Sequence, residues 1–411
     1  MSAVWQINPD GLFLRAKKEM KKFFLFLLFG CLVAGIRTAR AADAATDSIP
    51  YVQAIGTNTF AGIVPQPYYL RIPFAEVTNQ GTLIVGADLR ERTTADQTQI
   101  SIGIVRSTDK GATFTAPQVI IPHTGQSDWD RAMDGTILVN QKNGDIFVFA
   151  HRIAGKEVWE QIHQAGEHGF DCVVTRSSDD GQTWSEPFSL KEAMGSFGDN
   201  VVSLFGGVGH GITMEDGTLV VPIQCKMATA NTGGPTGETD SGDGLFNIQS
   251  GLLYSQDGGR TWKRSATLLP CYSSECNIVE YERGKLMINS RGYISKRRIY
   301  VTEDLGKTWR KAPADGTLVE PKACQGSFHK IRRGKETYGL FVNPRDSLVR
   351  KNLTLYKTAD FRHYFPLLTL EEDETFGYSS ITSDEEHVYV VLEDKGQAIR
   401  VYTLDLSVGS K

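Results

Sequence analysis

The segment Ser107-Thr108-Asp109-Lys110-Gly111-Ala112-Thr113-Phe114 decides the architecture, because its pattern returns along the chain. The pattern is Ser/Thr-x-Asp-x-Gly-x-Thr-aromatic, and three further copies occupy residues 177–184, 255–262 and 302–309. A fifth, degraded copy begins at Thr358 and ends in Tyr364-Phe365. Self-similar segments of this kind indicate a fold built from repeated supersecondary units.

Each copy of the repeat has the chemistry of a hairpin turn. The Asp side chain accepts hydrogen bonds from backbone N–H groups further along, and the Gly adopts a positive φ. The aromatic residue is predicted to fold back under the loop as an apolar plug. Strand-like runs such as Ile100 to Val105 and Gly251 to Tyr254 precede the copies. Evenly spaced hairpins with one aromatic signature each favour a β-propeller, so the repeat aspartates are interpreted as structural.

The overall composition describes a globular chain without a polyanion-binding face. The chain has 411 residues, a hydrophobic content of 40% and a net charge of −4. Proteins that bind nucleic acids usually carry a basic surface, so this charge argues against a nucleic-acid partner.

The N-terminal residues resemble an export signal. Four lysines between residues 17 and 22 precede the apolar run Phe23 to Gly35, and the small-x-small sequence Ala39-Arg40-Ala41 follows. This order is typical of a secretory signal peptide, here residues 1–41, and Met20 is an alternative start. A competing interpretation makes Cys31 the lipidated residue of a lipoprotein. Both predict an exported protein that is periplasmic, secreted or attached to the cell surface.

The cysteines do not predict a dense disulfide framework. Beyond Cys31 there are five: Cys172, Cys225, Cys271, Cys276 and Cys324. An odd number leaves at least one thiol unpaired. Cys271 and Cys276 are close enough in sequence to pair, and buried free thiols are an equally open alternative. No Cys or His spacing indicates a zinc site.

The repeats are similar to the Asp boxes of the sialidase (neuraminidase) superfamily, and the chain resembles that family from about Tyr68 onward. The resemblance implies an all-β, six-bladed β-propeller of four-stranded antiparallel sheets, formed by residues 42–411 as one catalytic domain. It also implies a retaining exo-α-sialidase. Two alternatives share the fold: a trans-sialidase, including an intramolecular one, and a non-catalytic propeller that binds sialylated glycans.

The chemistry of sialic acid explains which residues such an enzyme needs. Its carboxylate is attached directly to the anomeric carbon, and arginine forks bind carboxylates through paired hydrogen bonds. A carboxylate nucleophile would be repelled by that anion. A neutral tyrosine avoids the repulsion, and sialidases are an exception to the two-carboxylate rule of glycosidases.

Motifs similar to those of the family supply candidates for these roles. Tyr69-Leu70-Arg71-Ile72-Pro73 carries the first clamp arginine, Arg71. Arg291 and Arg350 are the implied second and third clamp arginines. Tyr378 is the implied nucleophile, and Glu275 is the base that receives its proton.

Four further residues complete the implied site. Asp96 corresponds to the acid/base catalyst, and we expect burial to raise its pKa. Arg90 and Asp134 correspond to residues that contact the ring substituents of the sugar, and Glu393 to the carboxylate that steadies Arg71. Asp88 is interpreted as a turn or supporting residue.

The resemblance also implies the partners. We expect sialylated glycoproteins, glycolipids or oligosaccharides as substrates, no metal, no organic cofactor, and a monomer whose membrane contact is limited to a lipid anchor. Two nearby features are given structural interpretations. Glu280 is expected to be a solvated edge residue, and the glycine-rich run Gly206 to Gly211 a bend before a strand at Thr218 to Gln224.

Overall fold

The computed structural model describes residues 5–6, 49–154, 170–198, 200–228, 248–270, 273–292, 295–321 and 323–405, which form an all-β structure. The strands of the first half are β1 (Trp5–Gln6), β2 (Val52–Gly56), β3 (Tyr68–Val77), β4 (Leu83–Glu91), β5 (Ile100–Ser107), β6 (Gln118–Ile121), β7 (Arg131–Val139), β8 (Ile146–Ile153), β9 (Phe170–Ser177), β10 (Phe188–Ser189), β11 (Val201–Gly206), β12 (Gly209–His210) and β13 (Ile212–Thr213). Those of the second half are β14 (Leu219–Met227), β15 (Ile248–Ser255), β16 (Lys263–Arg264), β17 (Cys276–Glu282), β18 (Lys285–Ser290), β19 (Arg298–Thr302), β20 (Arg310–Lys311), β21 (Ser327–Arg333), β22 (Glu336–Pro344), β23 (Leu353–Thr358), β24 (Phe365–Glu371), β25 (Ser379–Ser383), β26 (His387–Asp394) and β27 (Ala398–Asp405). One short helix, α1 (Leu190–Met194), follows β10.

The strands form small antiparallel sheets of sequential strands in a propeller-like arrangement. β17 to β20 form one sheet and β21 to β24 another, each paired in chain order. The largest sheet contains β3 to β6 and β7 to β10, and the two groups are joined by a parallel pairing of Ile100 with Arg131. The last sheet takes β2 onto β27, so an early strand completes the sheet formed by β25 to β27.

Side chains connect the first strand of each group to its neighbours. The Ser380 hydroxyl of β25 accepts the Ala75 N–H of β3 at 3.0 Å. The Asn277 amide donates to the Val208 carbonyl at 2.8 Å, and the Gln325 amide donates to the Ser379 carbonyl at 2.9 Å. The expected glycine-rich bend also contains β12, which pairs in parallel with β7. The bond between Ser380 and Ala75 brings the first and last sheets into direct contact. The candidate site lies where the first strands of the sheets meet.

The four Asp boxes form one and the same hydrogen-bond network. In the first, Asp109 accepts the Thr113 N–H at 2.9 Å and the Thr113 hydroxyl at 2.6 Å. The Ser107 hydroxyl donates to Asp109 at 2.7 Å and accepts the Gly111 N–H at 2.8 Å. Equivalent bonds hold the other copies within about 0.2 Å. The structural interpretation of the repeat aspartates agrees with this geometry.

The degraded fifth copy keeps the turn with a different partner. Asp360 accepts the backbone N–H groups of Arg362 and His363, both at 2.9 Å. His363 Nδ1 lies 2.7 Å from the Asp360 carboxylate, in place of the threonine hydroxyl. Phe361 has a φ of 56° without a glycine.

The aromatic residues of the boxes pack between neighbouring sheets, as the repeat predicts. Trp262 is 6% exposed and lies edge-on to Phe147 and Phe149, with ring centroids 5.8 and 5.2 Å away. Phe147 and Phe149 belong to β8, whereas Trp262 follows β15, so the box of one sheet seals the apolar interface with another. Edge-to-face pairs of this kind add about 0.5–1.5 kcal/mol to the stabilisation by area burial.

Two β-bulges redirect side chains toward the place where the first strands of the sheets meet. The pairing of β3 with β4 shifts register between Arg71 and Phe74, and Ile72 has a φ of 55°. Pro73 lies within this bulge, where a missing N–H is tolerated. The pairing of β7 with β8 shifts between Met133 and Thr136, where Asp134 has a φ of 60°. Bulges commonly redirect side chains beside functional sites.

Several sequence expectations meet the structure here. Cys172, Cys225, Cys276 and Cys324 are buried free thiols, so Cys276 is not part of a disulfide. Glu280 was expected to be solvated, and that is wrong, because it is 4% exposed and accepts the Gly284 and Glu215 N–H groups at 2.7 and 2.8 Å. Apart from Trp5 and Gln6, the proposed signal peptide lies outside the described residues, and so do Cys31 and Cys271. Within the described ranges, no helix has the length and apolar character needed to span a bilayer.

Contact with the neighbouring sheet is predicted to limit which residues can replace the box glycines. Gly259 has a φ of 91°, and a Cβ there would lie 2.4 Å from Phe147 Cζ. Gly284 has a φ of 75° with nothing within 4 Å of its Cβ position. We expect Gly259→Ala to lower the free energy of unfolding by about 2–4 kcal/mol, because backbone strain of about 1 kcal/mol adds to overpacking of about 1–3 kcal/mol.

Gly284→Ala is the matched control, since it pays the backbone strain without the steric overlap. Urea unfolding of both variants measures the difference. Equal destabilisation would show that the box does not press on β8.

Candidate active site

A cavity of about 270 Å³ opens where the first strands of the sheets converge. Seven of the nine sequence-predicted site residues line it: Arg71, Asp96, Asp134, Glu275, Arg291, Arg350 and Tyr378. Arg90 and Glu393 do not line the cavity and lie directly behind it, each bonded to a lining residue. Residues separated by up to 322 positions in the chain therefore meet at one place.

Tyr378 lies at the base of the cavity in contact with a carboxylate and a guanidinium. It directly precedes β25 and is 5% exposed. Its hydroxyl donates a short hydrogen bond to Glu275, which directly precedes β17. Arg291 Nη1 donates to the Tyr378 oxygen at 2.9 Å and to Glu275 at 2.7 Å. The phenol thus has a proton acceptor and a cationic donor on the same oxygen.

The environment keeps Tyr378 neutral until its proton is removed. Burial raises the pKa of Tyr378 well above its usual value, and the negative charge of Glu275 raises it further. Arg291, Arg350 and Arg71 oppose that increase in pKa because they stabilise a phenolate. The proton is therefore held on Tyr378, and the three arginines partly offset the cost of removing it.

Glu393 fixes Arg71 and the adjacent backbone. The carboxylate lies in β26 with its side chain fully buried. It accepts Arg71 Nε at 2.8 Å, the Ile72 N–H at 3.0 Å and the Tyr378 N–H at 3.2 Å. Burial lowers the pKa of Arg71, but the charge and hydrogen bond of Glu393 outweigh it, so the net pKa is raised. Arg71 is therefore held as a cation in the lining of the cavity.

Arg350 completes the cationic wall. Its Nη1 donates to the Phe376 carbonyl at 2.8 Å and its Nη2 to the Ala323 carbonyl at 2.7 Å. The guanidinium carbons of Arg350 and Arg71 each lie 5.3 Å from the centroid of the Tyr378 ring. A guanidinium has five N–H donors, so the anchored Arg350 retains donors for a ligand.

Asp96 stands at the mouth of the cavity, in the loop between β4 and β5. Its side chain is 61% exposed, and its carboxylate accepts Arg90 Nη1 at 2.6 Å. Partial burial raises its pKa, but Arg90, Arg71 and Arg131 together hold the pKa below its usual value. Burial therefore acts on the pKa of Asp96 in the expected direction, but the three arginines outweigh it, so the net shift is opposite to the one expected.

Asp134 and Asp88 form a second acidic group beside Asp96. The Asp134 N–H donates to Asp88 at 3.1 Å. Burial raises the pKa of Asp134 well above normal, and Asp88, Glu275 and Asp96 repel its charged form. Burial also raises the pKa of Asp88 to about 7, although Arg90 favours its ionised form.

Sequence reasoning missed one wall of the cavity. It consists of residues from β7, β8, β11, β14 and β15: Met133, His151, Ile153, Phe205, Gln224 and Ile248. His151 stacks on Phe205 with ring centroids 4.1 Å apart and planes 8° apart. These residues belong to no recognisable motif. The sequence could have indicated them only through their position in core strands near the predicted site residues.

The arrangement can bind an anion and supply a nucleophile. Three arginines surround Tyr378, while Asp96 and Asp134 lie elsewhere in the lining, so a ligand with one carboxylate and several hydroxyl groups finds complementary partners. Among the described residues, no group of three or more His, Cys, Asp or Glu is placed to hold a metal ion.

Comparisons with known proteins find this chain similar to sialidases. The family described as "BNR repeat-like domain" matches residues 74–402. A sialidase of Bacteroides fragilis is 29% identical over 79% of this chain and 59% of its own length. A sialidase of Clostridium perfringens is 28% identical over 80% of this chain and 87% of its own length. The solved structure of Hadza microbial sialidase Hz136 has a TM-score of 0.73 and 29% identity, over 82% of this chain and 66% of that one.

The Glu393 contacts generate a prediction about stability. We expect Glu393→Gln to lower the free energy of unfolding by about 3–5 kcal/mol, because it leaves the buried charge of Arg71 without its partner. Glu371→Gln is the matched control: Glu371 pairs with Arg400, and both side chains keep more than a fifth of their exposure, 24% and 22%. The control should cost less than about 1 kcal/mol. Urea unfolding measures both, and equal losses would contradict the structural role of Glu393.

Proposed function

The chain belongs to the sialidase superfamily of BNR-repeat proteins, and from the geometry of its central cavity we propose that it is a retaining exo-α-sialidase that hydrolyses terminal α-linked sialic acid from glycans. The contact that carries the proposal is the hydrogen bond from the Tyr378 phenol to Glu275 within a wall of three arginines. A carbohydrate-binding protein without catalysis would need the arginines but not a phenol paired with a buried carboxylate.

The arginines bind the substrate carboxylate. Arg71, Arg291 and Arg350 offer several N–H donors around Tyr378, which suits a carboxylate attached to the anomeric carbon beside the nucleophile. Arg71 and Arg350 are themselves fixed by Glu393 and by backbone carbonyls. Little reorganisation is therefore needed when the anion arrives.

The first chemical step forms a covalent sialyl-enzyme. Protonated Asp96 donates its proton to the glycosidic oxygen, and the bond between that oxygen and the anomeric carbon breaks. The Tyr378 oxygen bonds to the anomeric carbon, and its proton passes to Glu275. Arg291 donates to both Glu275 and Tyr378, so it stabilises the negative charge that passes between them.

The second step releases the sugar. Asp96, now ionised, takes a proton from water, and the hydroxyl oxygen bonds to the anomeric carbon. The bond to Tyr378 breaks, and the phenolate recovers its proton from Glu275. Two displacements at one carbon retain its configuration. Asp134 is proposed to contact the ring substituents, whereas Arg90, which does not line the cavity, is proposed to hold Asp96.

A trans-sialidase would use the same residues with a sugar hydroxyl in place of water. Analysis of the products by mass spectrometry, with and without an added acceptor sugar, separates hydrolysis from transfer. Free sialic acid as the main product supports the proposal, and a sialylated acceptor or an anhydro sugar contradicts it.

We also propose the finer architecture and the cellular context. The strands group into six sets of four: β3–β6, β7–β10, β11 with β14–β16, β17–β20, β21–β24, and β25–β27 with β2. This grouping supports a six-bladed propeller formed by one catalytic domain within residues 42–411. The pattern of residues 1–41 supports export, which would bring the site to sialylated glycoproteins, glycolipids or oligosaccharides.

Tyr378→Phe tests the nucleophile. We expect at least a 1,000-fold fall in kcat on a fluorogenic sialoside, because no oxygen remains to attack the anomeric carbon. Tyr356→Phe is the matched control, since Tyr356 is also 5% exposed but lies in the middle of β23. Near-normal turnover by Tyr378→Phe, in a folded protein, would refute the mechanism.

The surroundings of Asp96 predict the pH dependence. The arginines lower its pKa in the free enzyme, so the protonated fraction, and with it kcat/KM on sugar-linked sialosides, falls as the pH rises. Bound substrate would cover the 61% exposed carboxylate and raise its pKa, so kcat should fall at a higher pH than kcat/KM. Steady-state kinetics between about pH 4 and pH 8 measure both. A kcat/KM that stays constant over this range would exclude Asp96 as the general acid.

A further inference from the structure

A buried ion pair lies behind the acidic side of the cavity, and its carboxylate, Asp88, has no role in the mechanism above. Asp88 and Arg90 are two residues apart in β4, and both side chains are fully buried. Arg90 Nη2 donates to one Asp88 oxygen at 3.0 Å. The other Asp88 oxygen accepts the Asp134 N–H at 3.1 Å. Asp88 does not line the cavity. One of its oxygens accepts from Arg90, which contacts the lining residue Asp96, and the other accepts from Asp134, which lines the cavity itself.

The first connection leads to Asp96. Arg90 Nη1 donates to the Asp96 carboxylate at 2.6 Å and to the Thr94 carbonyl at 2.8 Å, in the same loop. Asp96 is 61% exposed, so little else packs against its side chain. The orientation of Arg90 therefore determines where the Asp96 carboxylate stands, and Asp88 determines the orientation of Arg90.

The second connection leads to Asp134. This residue has a φ of 60°, which is unusual for a residue with a side chain, and lies in the bulge between β7 and β8. Its N–H points at Asp88, away from the β8 ladder, and the carboxylate compensates the unfavourable backbone conformation. The direction of the Asp134 side chain into the cavity thus also depends on Asp88.

We propose that Asp88 is a positioning residue that places both acidic groups of the cavity at once, Asp96 through the Arg90 guanidinium and Asp134 through its backbone N–H. The inference rests on the proposed function, in which Asp96 protonates the leaving oxygen. Both contacts of Asp88 are with donors, so both need an acceptor oxygen. An asparagine offers only one such oxygen and sets its NH₂ group against a donor.

Leaving-group dependence distinguishes positioning of the acid from a loss of folded protein. A sugar-linked sialoside has a basic leaving oxygen that must be protonated as the bond breaks. An aryl sialoside has a much weaker base as its leaving group and reacts with little help from an acid. The ratio of kcat/KM on the two substrates does not change when part of the protein is inactive, because that loss affects both equally.

The experiment compares wild type, Asp88→Asn and a matched control on an aryl sialoside and a sialyl-lactose substrate. We expect Asp88→Asn to lower kcat/KM on the sugar-linked substrate by about 10- to 100-fold and on the aryl sialoside by less than about threefold, because kcat/KM reports the first step and not the release step that both substrates share. Glu76→Gln is the control, because Glu76 is also a buried carboxyl in a neighbouring strand, 8% exposed, and contacts Val77 and Thr382 instead of the cavity. It should keep the wild-type ratio.

A second variant covers the case in which Asp88→Asn does not fold. Arg90→Lys keeps the charge but cannot contact Asp88, Thr94 and Asp96 together, so it should change the ratio in the same direction. A wild-type ratio in either folded variant would overturn the inference. The proposed function fails separately, through a wild-type enzyme that hydrolyses neither substrate, or through an Asp96→Asn variant with an unchanged ratio.

Discussion

The rest of the site depends on one buried carboxylate, Glu393, and its three donors. It comes from the last sheet and binds Arg71 and Ile72 of the first, so it stands at the contact between the two. The same carboxylate accepts the N–H of Tyr378. A charged group with this little exposure is stable only with its hydrogen bonds satisfied. One interaction therefore couples the contact between the first and last sheets, the positive φ of Ile72 and the placement of Arg71 beside Tyr378.

Around that point the charges are arranged in two zones. The arginine zone surrounds Tyr378 and opposes the effect of burial on its pKa, which favours binding of an anion next to a neutral phenol. The acidic zone contains Asp96, Asp134 and Asp88, and there burial and mutual repulsion compete with Arg90. Asp96 remains the exception among these acids, because it is exposed to solvent and close to cations. The separation of zones explains how one small cavity can hold both the carboxylate clamp and the proton donor that we propose.

The scaffold that supports these zones uses two different devices. The Asp boxes lie at hairpin turns, where local hydrogen bonds close the loop and an aromatic plug joins neighbouring sheets. The bulges at Ile72 and Asp134 lie in inner strands and depend on distant partners, Glu393 and Asp88. The first device repeats because its energy is local. The second occurs where a side chain must leave the regular alternation of a strand.

The amino-acid sequence by itself determined the features whose interactions are local. The repeat from Ser107 to Phe114 encodes its own turn, so the all-β class and the regular hairpins follow from it. Motif resemblance also named the nine site residues. Only the tertiary structure decided that Arg90 lies behind the cavity, that Glu280 is buried, and that the pKa of Asp96 is lowered. Burial and electrostatic potential are sums over groups from distant strands, and no pattern within one stretch of chain contains them.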